Sequence, residues 1–424
     1  MNKFFVLLLA FFLPLWADAQ ISTADIDDAD ENQTELRLNP EFESESEIAV
    51  NYSDYPFLNL DANHIEFNGA DWSGLQRSVL NSQLGEGITS VVYLGDSHVQ
   101  ADFNGAIVRE RLSERLGAAG RGLIIPFKAA GTNEPFDYTF TFPEPYRSSK
   151  LLKQPWETIM PFSGIGIEPV NTQFNIEISC KTPFDRITFF YEGSGSVSIS
   201  KAVADGVEQI FGAADTDDGV YEIAFRELLD QVTLTFERHG SVTFAGAMLS
   251  SDITGAYVHS VGNNGATYSS YNSVPSFGRE FAVLEPDLVM IALGTNEAFG
   301  KIDPSEVLYN IDELIKTIQA HNPEARILLV TPTECKKRMS TRRKGSRRRT
   351  VTLVDNPKVA TMRNLILNYA RENGVAVYDT YAVTGSADNL RSAELLSKDG
   401  VHFTATGYRL LGNLLADAII EAMI

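Results

Sequence analysis

Residues 88–98 read ITSVVYLGDSH, and the fold class follows from this stretch. Its first seven residues are mostly apolar or β-branched and do not alternate with charged residues, which is typical of a parallel strand buried on both faces. The strand pattern ends at Gly95, and from Ser97 onward apolar residues recur at helical spacing. A buried strand that leads directly into an amphipathic helix favours an α/β fold.

The same pattern returns in the second half of the chain, where short apolar runs predict strands and longer segments have helical periodicity. The strands are predicted at residues 256–261, 288–293, 326–331 and 375–379, and the helices at residues 304–321, 356–373 and 405–422. Strands that alternate with helices predict a parallel sheet with right-handed crossovers. We therefore expect a three-layer, flavodoxin-like α/β domain.

Residues 127–250 have a different character. They contain short alternating runs such as FNIEISC, RITFFY, YEIAF and QVTLTFE, separated by turn residues, and no long amphipathic helix. This spacing predicts an antiparallel β-sandwich. The α/β domain is thus expected to comprise residues 56–126 and 251–424, with residues 127–250 as an insertion.

The first 55 residues predict export and a linker. Residues 1–19 have a positive start, an apolar stretch and a small-x-small end, the pattern of a signal peptide, so a periplasmic or secreted protein is expected. Residues 20–55 are predicted to be a flexible acidic linker, because residues 25–47 contain ten acidic residues and one basic residue.

Composition excludes several classes of protein. The chain has 424 residues and a formal net charge of −21, which argues against nucleic acid as a partner. Cys180 and Cys335 are too few for a disulfide scaffold or a four-ligand zinc site, and both are predicted to be unpaired. No stretch after the signal peptide is expected to span a membrane. The sequence does not determine the oligomeric state.

Polar residues follow four of the predicted strands at the point where each strand ends. They are Ser97, the turn Gly262-Asn263-Asn264-Gly265, the turn Gly294-Thr295-Asn296, and the pair Asp399 and His402. Each signal alone is weak, since a serine at such a turn is often only a helix cap and Gly-x-Asn is common in turns. In a parallel sheet, however, these ends form one edge, where ligands bind. Together the four signals predict a catalytic site.

This arrangement resembles the SGNH hydrolases, also called GDSL-type esterases, which are named for the Ser, Gly, Asn and His of four sequence blocks. The sequence GDSH at residues 95–98 matches the first block, SVGNNGAT at residues 260–267 the second and GTNE at residues 294–297 the third, while Asp399 and His402 match the last. The departures are His98, where the family has Leu, and Glu297, where Asp is usual. His98 either contacts substrate or the catalytic loop, or is simply a polar residue of the first helical turn.

The resemblance implies a role for each of these residues. Ser97 is the expected nucleophile, His402 its general base, and Asp399 the carboxylate that orients His402. The backbone N–H groups of Ser97 and Gly265 and the side-chain amide of Asn296 are the expected oxyanion hole. The chemistry agrees, since serine needs an adjacent base and a tetrahedral oxyanion needs preorganised donors. No metal and no organic cofactor are expected.

The position of the insertion resembles that in bacterial peptidoglycan O-acetylesterases, where a module similar to carbohydrate-binding module family 35 interrupts the SGNH domain. This implies an exported serine esterase that removes O-acetyl groups from a glycan, with peptidoglycan as the first choice, through an acetyl-Ser97 intermediate. The alternatives are an esterase for another O-acetylated glycan such as xylan or capsule polysaccharide, an acetyl transferase, and a catalytically inactive glycan-binding protein. As a module, the insertion is expected to be dispensable for hydrolysis of a small ester.

A second feature is a basic run at residues 336–349 (KKRMSTRRKGSRRR), which contains nine Lys or Arg residues. Such runs are usually solvated and mobile. Because it follows the fourth predicted strand, it lies on the rim of the predicted site. It either folds back on the acidic surface of its own chain or captures an anionic polymer.

Overall fold

The computed structural model describes residues 49–209, 213–217, 219–251, 254–342 and 349–424. The predicted signal peptide and residues 20–48 of the predicted linker lie outside these ranges. The strands are β1 (Ile65–Glu66), β2 (Ile88–Gly95), β3 (Gly122–Ile124), β4 (Tyr138–Thr141), β5 (Tyr146–Lys150), β6 (Ile165–Pro169), β7 (Gln173–Glu192), β8 (Ser196–Ala204), β9 (Val207–Gln209), β10 (Ala213–Asp217), β11 (Val220–His239), β12 (Thr243–Ser250), β13 (Gly255–Gly262), β14 (Leu288–Ala292), β15 (Arg326–Val330), β16 (Lys336–Arg342), β17 (Arg349–Asp355) and β18 (Ala376–Tyr378).

The helices lie mainly in the two segments predicted to be α/β. They are α1 (Ser73–Gln83), α2 (Ser97–Gln100), α3 (Phe103–Leu116), α4 (Tyr268–Asn272), α5 (Phe277–Phe281), α6 (Pro304–His321), α7 (Pro357–Asn373), α8 (Thr380–Thr384), α9 (Ala387–Ser392) and α10 (Ala405–Met423). The start of α6 shows how local sequence sets these bounds. Asp303 accepts hydrogen bonds from the N–H groups of Ser305 and Glu306, and Pro304 occupies the first helical position, where no N–H is needed.

The first sheet is parallel and contains the predicted strands. Its order is β1–β18–β15–β14–β2–β13, with only β1 antiparallel to its neighbour. Among the parallel strands β2 comes first in the chain, yet it lies between β13 and β14, so the order of strand addition reverses there. This is the flavodoxin-like strand order, and ligands bind at the carboxyl ends of strands beside such a reversal. The predicted α/β fold is confirmed.

Side chains of β2 point alternately to the two faces of this sheet. Val91 and Tyr93 belong to a buried cluster with α1, α3 and α10, whereas Val92 and Leu94 belong to a cluster with α4, α5, α6 and α7. The period-two alternation of a strand thus places helices against both faces. The domain therefore has the three layers predicted from the sequence.

The second sheet is antiparallel and has the order β5–β6–β12–β7–β11–β8–β9, with β3, β4 and β10 paired to β12, β7 and β11. The prediction of separate short strands was wrong at two places. FNIEISC and RITFFY are both part of β7, and YEIAF and QVTLTFE are both part of β11. The irregular middles of the two strands lie opposite each other, with Leu229 paired to Phe184, so pairing continues through the bends. Because hydrogen bonds join these strands into one sheet, the two-sheet sandwich stays a prediction.

The two sheets share a core. Strand β3 pairs with β12, so the antiparallel sheet begins at Gly122, ahead of the predicted boundary at residue 127. One buried cluster contains Phe189 and Phe244 of the antiparallel sheet together with Val289 and Ile291 of the parallel sheet. The antiparallel block is therefore packed directly against the α/β domain.

The end of the predicted linker also packs against the α/β domain. Tyr52–Asp54 forms a short 3₁₀ helix, and the Tyr52 hydroxyl donates a hydrogen bond to Oδ2 of Asp417 at 2.5 Å. Val50, Tyr52 and Tyr55 contact the buried cluster around α10. Packed structure thus extends to the N-terminal side of the predicted boundary at residue 56, because these side chains bury apolar surface.

The basic run also differs from the expected mobile loop. Lys336–Arg342 and Arg349–Asp355 pair as an antiparallel ribbon, with Lys336 opposite Asp355 and Arg342 opposite Arg349. Residues 343–348, between the two strands, lie outside the described ranges.

Glu280 provides a pH-dependent contact between α5 and the antiparallel sheet. Its carboxylate accepts hydrogen bonds from the N–H of Phe162 at 3.0 Å and from the hydroxyl of Ser276, and Glu192 of β7 lies beside it. Burial, and then the charge of Glu192, raises the pKa of Glu280 well above its usual range. The protonated form is thus favoured in the folded state, and the stability it contributes is lost as pH rises through the raised pKa.

We expect Glu280→Gln to make the unfolding temperature less dependent on pH. The amide keeps a hydrogen-bond acceptor but carries no charge, so the variant should become more stable than the unaltered protein between about pH 7 and 9 and resemble it near pH 5. Thermal unfolding across this range measures the effect, and exposed Glu86→Gln is the matched control. If the unfolding temperature of Glu280→Gln depended on pH as steeply as that of the unaltered protein, another group would be responsible for the pH dependence.

Candidate active site

Ser97 begins α2, directly after the carboxyl end of β2, where the strand order reverses. Asp96 caps this helix, since its Oδ1 accepts a hydrogen bond from the N–H of His98 at 2.9 Å. Gly95 is required just before it, because a Cβ there would lie 2.9 Å from the carbonyl oxygen of Ala292 in β14. This tight turn leaves the Ser97 side chain half-buried at the edge of the sheet.

His402 and Asp399 lie on the loop before α10, at the same edge. Nε2 of His402 is 2.9 Å from Oγ of Ser97, and Nδ1 of His402 is 2.6 Å from Oδ2 of Asp399. The second carboxylate oxygen, Oδ1, accepts hydrogen bonds from the Ser397 hydroxyl and from the N–H groups of Val401 and His402. The structure thus brings together the three residues that the sequence assigns to one catalytic unit.

The environment of Asp399 determines which nitrogen of His402 carries the proton. Burial raises the pKa of Asp399, but the hydrogen bonds from His402, Ser397 and the backbone of Val401 outweigh burial and leave this pKa below its usual range. An ionised Asp399 can only accept from Nδ1–H. Nε2 is therefore the acceptor that faces the Ser97 hydroxyl, as a general base requires.

The loop after β13 brings Gly265 into the site. Gly265 has φ of +81°, in the left-handed region that glycine adopts without strain. Among the described residues, neither the N–H of Ser97 nor that of Gly265 donates a hydrogen bond. Both groups are thus available to an oxyanion.

A cluster of four polar residues, the Gln100 cluster (Gln100, Thr132, Asn133 and Asn264), holds this loop in place. The buried Gln100 accepts a hydrogen bond from the N–H of Asn264 at 2.7 Å through Oε1. Its Nε2 donates to Thr132 Oγ1 at 2.9 Å and to Asn133 Oδ1 at 2.7 Å. Asn264 also donates to Asn133, at 2.9 Å. Residues of the predicted insertion therefore position the residue next to Gly265.

The sequence contains no signal that marks Gln100, Thr132 and Asn133 as residues of the site. Gln100 is only three residues after the matched Ser97 motif, but it looks like an ordinary helical residue. Its partners are 32, 33 and 164 positions away in the chain, so no local spacing could have connected them.

Asn296 lies after β14, and its amide already has partners within the protein. Nδ2 donates to the carbonyl oxygen of Ala266 at 2.9 Å and to Oδ2 of Asp96 at 3.2 Å. Burial raises the pKa of Asp96 to about 6, so this carboxyl changes charge near neutral pH. An oxyanion would compete with Asp96 for the more weakly held N–H of Asn296.

The two positions that depart from the family pattern are both occupied by partnered side chains. Nδ1 of His98 is 3.0 Å from the Tyr408 hydroxyl, and its ring centroid is 5.2 Å from that of His402. Desolvation, and then the proximity of His402, lowers the pKa of His98 to about 3. Glu297 accepts a hydrogen bond from the N–H of Tyr268 at 2.9 Å. Of the two alternatives for His98, the structure thus places it against the catalytic loop.

The described ranges contain no group of three or more His, Cys, Asp or Glu side chains arranged to hold a metal ion. Cys180 and Cys335 are buried and unpaired, which confirms the prediction for both. Within the same ranges, no helix combines the length and the apolar character needed to span a membrane.

Comparison with known families identifies the second part of the chain. Residues 229–410 match the model of the GDSL-like lipase/acylhydrolase family. This segment is similar to a GDSL-like acylhydrolase domain. It contains Gly265, Asn296, Asp399 and His402 but not Ser97, which precedes the antiparallel block. The predicted family resemblance is confirmed.

Solved structures resemble this chain to different extents. A peptidoglycan O-acetylesterase matches over 85% of this chain and 99% of its own, with 19% identity and a TM-score of 0.68. This match is longer than the α/β segments, so the shared fold includes part of the antiparallel sheet. A lipase/acylhydrolase from Enterococcus faecalis matches over 40% of this chain and 77% of its own, with 21% identity and a TM-score of 0.29. A GDSL-like lipase from Bacteroides thetaiotaomicron matches over 39% and 76%, with 23% identity and a TM-score of 0.30. No curated protein sequence matches this chain.

Proposed function

We propose that this protein is an exported serine esterase that removes O-acetyl groups from peptidoglycan through an acetyl-Ser97 intermediate. The observation that carries the proposal is the hydrogen-bonded series from Ser97 Oγ to His402 Nε2 at 2.9 Å and from His402 Nδ1 to Asp399 at 2.6 Å. A hydroxyl, a base and an orienting carboxylate in this order form the arrangement that activates serine for acyl transfer.

In the first half of the reaction, His402 Nε2 takes the proton of the Ser97 hydroxyl while Oγ attacks the acetyl carbonyl carbon. The tetrahedral oxyanion accepts hydrogen bonds from the N–H groups of Ser97 and Gly265 and, in competition with Asp96, from Asn296. The imidazolium of His402 then returns the proton to the departing sugar oxygen. The carbon–oxygen bond to the sugar breaks, and acetyl-Ser97 remains.

In the second half, water replaces the sugar. His402 takes a proton from the water, whose oxygen attacks the acetyl carbon of acetyl-Ser97. The oxyanion is stabilised by the same donors, and the Ser97 oxygen leaves with the proton from His402. Acetate and the free serine are produced, so the net reaction consumes one water for each acetyl group.

The substrate and the location of the protein are proposed on separate grounds. The fold shared with a peptidoglycan O-acetylesterase over 85% of the chain supports an O-acetylated glycan, peptidoglycan first, as substrate. The proposed organisation is a signal peptide at residues 1–19, a linker that follows it, and an α/β domain interrupted by the antiparallel block. The apolar stretch and cleavage pattern at residues 1–19 support export.

The proposal is tested by measuring acetate released from O-acetylated peptidoglycan and from O-acetylated xylan by the same preparation. We expect kcat/KM to be at least roughly tenfold higher for peptidoglycan, a difference of about 1.4 kcal/mol in transition-state binding. A chromogenic acetyl ester serves as the control for catalysis independent of the glycan. Activity on the chromogenic ester together with a preference for xylan would show that the substrate is a glycan other than peptidoglycan. Inactivity on all three substrates would contradict the proposal that the protein is an esterase.

A further inference from the structure

Asp96 contacts Asn296 beside the nucleophile, and this contact joins the turn after β2 to the turn after β14. The side chain of Asp96 is buried, and its two oxygens accept from different donors. Oδ1 accepts the backbone N–H of His98 at 2.9 Å, whereas Oδ2 accepts an N–H of the Asn296 amide at 3.2 Å. One carboxylate thus caps the helix that carries Ser97 and also holds a donor of the expected oxyanion hole.

Both N–H groups of the Asn296 amide are engaged within the protein. An amide nitrogen carries two N–H groups. One donates to the carbonyl oxygen of Ala266 at 2.9 Å, and the other donates to Asp96. Asn296 can therefore donate to an oxyanion only after it leaves one of these acceptors. Asp96 is the acceptor that it leaves, because this bond is the longer one and because the bond to Ala266 holds the residue next to Gly265.

The charge of Asp96 determines how firmly it holds the Asn296 N–H. Hydrogen bonds to an ionised carboxylate are stronger than those to a neutral carboxyl. An added proton goes to Oδ2, because Oδ1 already accepts the backbone N–H of His98. A protonated Oδ2 is a weaker acceptor and carries a donor of its own. Protonation of Asp96 therefore leaves an N–H of Asn296 free for an oxyanion.

The surroundings of Asp96 place this change of charge near neutral pH. Burial raises the pKa of Asp96 to about 6, although the N–H of His98 and the charge of a protonated His402 act in the opposite direction. The neutral carboxyl is therefore the main form below this pH, and the ionised carboxylate is the main form above it.

Several other ionisable groups around Asp96 keep one charge state between about pH 5 and 8.5. Burial raises the pKa of the Cys335 thiol, after β15, to about 12. Burial also raises the pKa of each described tyrosine near Asp96 above its usual range, and these are Tyr93 of β2, Tyr268 and Tyr271 of α4 and Tyr408 of α10. The thiol and the four phenols thus stay uncharged.

The remaining described groups near Asp96 lie on α2, the catalytic loop and the turn after β14. Desolvation lowers the pKa of His98 to about 3, so this ring stays neutral. Burial raises the pKa of Asp399, but hydrogen bonds, led by that from His402, outweigh burial and keep Asp399 ionised. Burial raises the pKa of Glu297 to about 7, and the charge of Asp96 adds to this rise. The titration of Glu297 must therefore be distinguished from that of Asp96.

We infer that Asp96 controls the third donor of the oxyanion hole: the ionised carboxylate holds the Asn296 amide, and the neutral carboxyl releases it to the substrate. Asp96 is thus a positioning residue, since it acts through Asn296. The inference rests on the proposed function, whose active site it regulates. Because His402 must be neutral to act as the base, kcat rises as His402 loses its proton and falls again as Asp96 ionises.

The experiment measures kcat for acetate release from a small acetyl ester between pH 5 and 8.5. The variants are Asp96→Asn, Asn296→Ala and the two combined. Asp96→Asn keeps an oxygen for the N–H of His98 but places an NH₂ group where Oδ2 was, and this group cannot accept from Asn296. Asp96→Ser is a second variant that can cap the helix without a carboxylate. The matched control is Glu297→Gln, which removes the neighbouring carboxyl and keeps an acceptor for the N–H of Tyr268.

We expect kcat of the unaltered protein to pass through a maximum and to fall roughly tenfold towards pH 8.5, because one oxyanion donor is worth about 10²–10³ and Asp96 only competes for it. Asp96→Asn and Asp96→Ser should not show this fall, whereas Glu297→Gln should retain it. Asn296→Ala should cost the unaltered protein more at pH 6 than at pH 8.5, and should cost Asp96→Asn the same at both. Thermal unfolding verifies that each variant folds.

Three results would overturn the inference and leave the esterase intact. One is an unaltered protein whose kcat does not fall at alkaline pH, and another is a fall that persists in Asp96→Asn and Asp96→Ser or that Glu297→Gln abolishes. The third is a gain from Asp96→Asn at pH 8.5 that is equally large in the Asn296→Ala background, because Asp96 would then act through its charge alone. Inactivity of the unaltered protein at every pH would instead overturn the proposed function and, with it, this role of Asp96.

Discussion

Ser97→Ala is expected to lower kcat on a small acetyl ester by about 10⁶, because no other nucleophile replaces the hydroxyl beside His402. Ser97 is half-buried at the sheet edge and outside the apolar core, so the variant should unfold at nearly the same temperature as the unaltered protein. Initial rates with a chromogenic acetyl ester measure the loss. The control is Ser194→Ala, at an exposed serine in the turn between β7 and β8.

His402→Ala should cost about as much as Ser97→Ala, and the double variant should be scarcely slower than either. The reason is the 2.9 Å contact between Ser97 Oγ and His402 Nε2, which makes the two residues one functional unit. Losses that multiply in the double variant would show that they act separately. If Ser97→Ala kept more than about a hundredth of the normal turnover, Ser97 would not be the nucleophile.

Deleting residues 127–250 is expected to abolish activity even on a small ester. The sequence suggested a dispensable module, but in the structure residues of this block hydrogen-bond to the residues beside the candidate site. Thr132 and Asn133 hold Gln100 and Asn264, and the carbonyl oxygen of Ser163 accepts a hydrogen bond from Asn263 at 3.0 Å. Deletion would also open the core that the two sheets share. A deletion variant that folds and hydrolyses a small ester at the normal rate would refute this role.

Because the deletion is expected to prevent folding, a smaller change separates positioning from stability. Asn133→Ala removes the acceptor shared by Gln100 and Asn264, so the Gly265 N–H should be less well placed for the oxyanion. We expect kcat on the chromogenic ester to fall roughly ten- to a hundredfold with little change in KM. The control is Asn171→Ala, at an exposed position in the turn between β6 and β7. An equal fall of kcat in Asn133→Ala and Asn171→Ala would indicate a general loss of stability instead.

Much of the α/β domain could be predicted because its strands and helices carry local signals. Runs such as residues 88–94 and 288–293 consist mostly of apolar or β-branched residues, and each is followed by a turn that contains glycine. The four polar motifs could be placed at one edge because parallel strands all end there. Because the topology of a parallel sheet brings these motifs together, the site could be predicted even though Ser97 and His402 are far apart in the sequence.

The antiparallel block was harder to predict because its signals depend on partners distant in the chain. Pro183 looks like a strand terminator, yet β7 continues through it because β11 bends at the facing position. The Gln100 cluster has no local signature for the same reason. The composition of the basic run likewise did not predict a strand. In the structure Lys336–Arg342 is a strand because Arg349–Asp355 pairs with it.

The hydrogen bond between Ser97 and His402 joins residues that are 305 positions apart. At roughly 5–20 residues per second, a ribosome adds His402 roughly 15–60 s after Ser97. During that interval Ser97 has no imidazole beside it, so its hydroxyl has the reactivity of an ordinary alcohol. A product truncated before His402 would therefore lack the Ser97–His402 contact however well its first strands had folded.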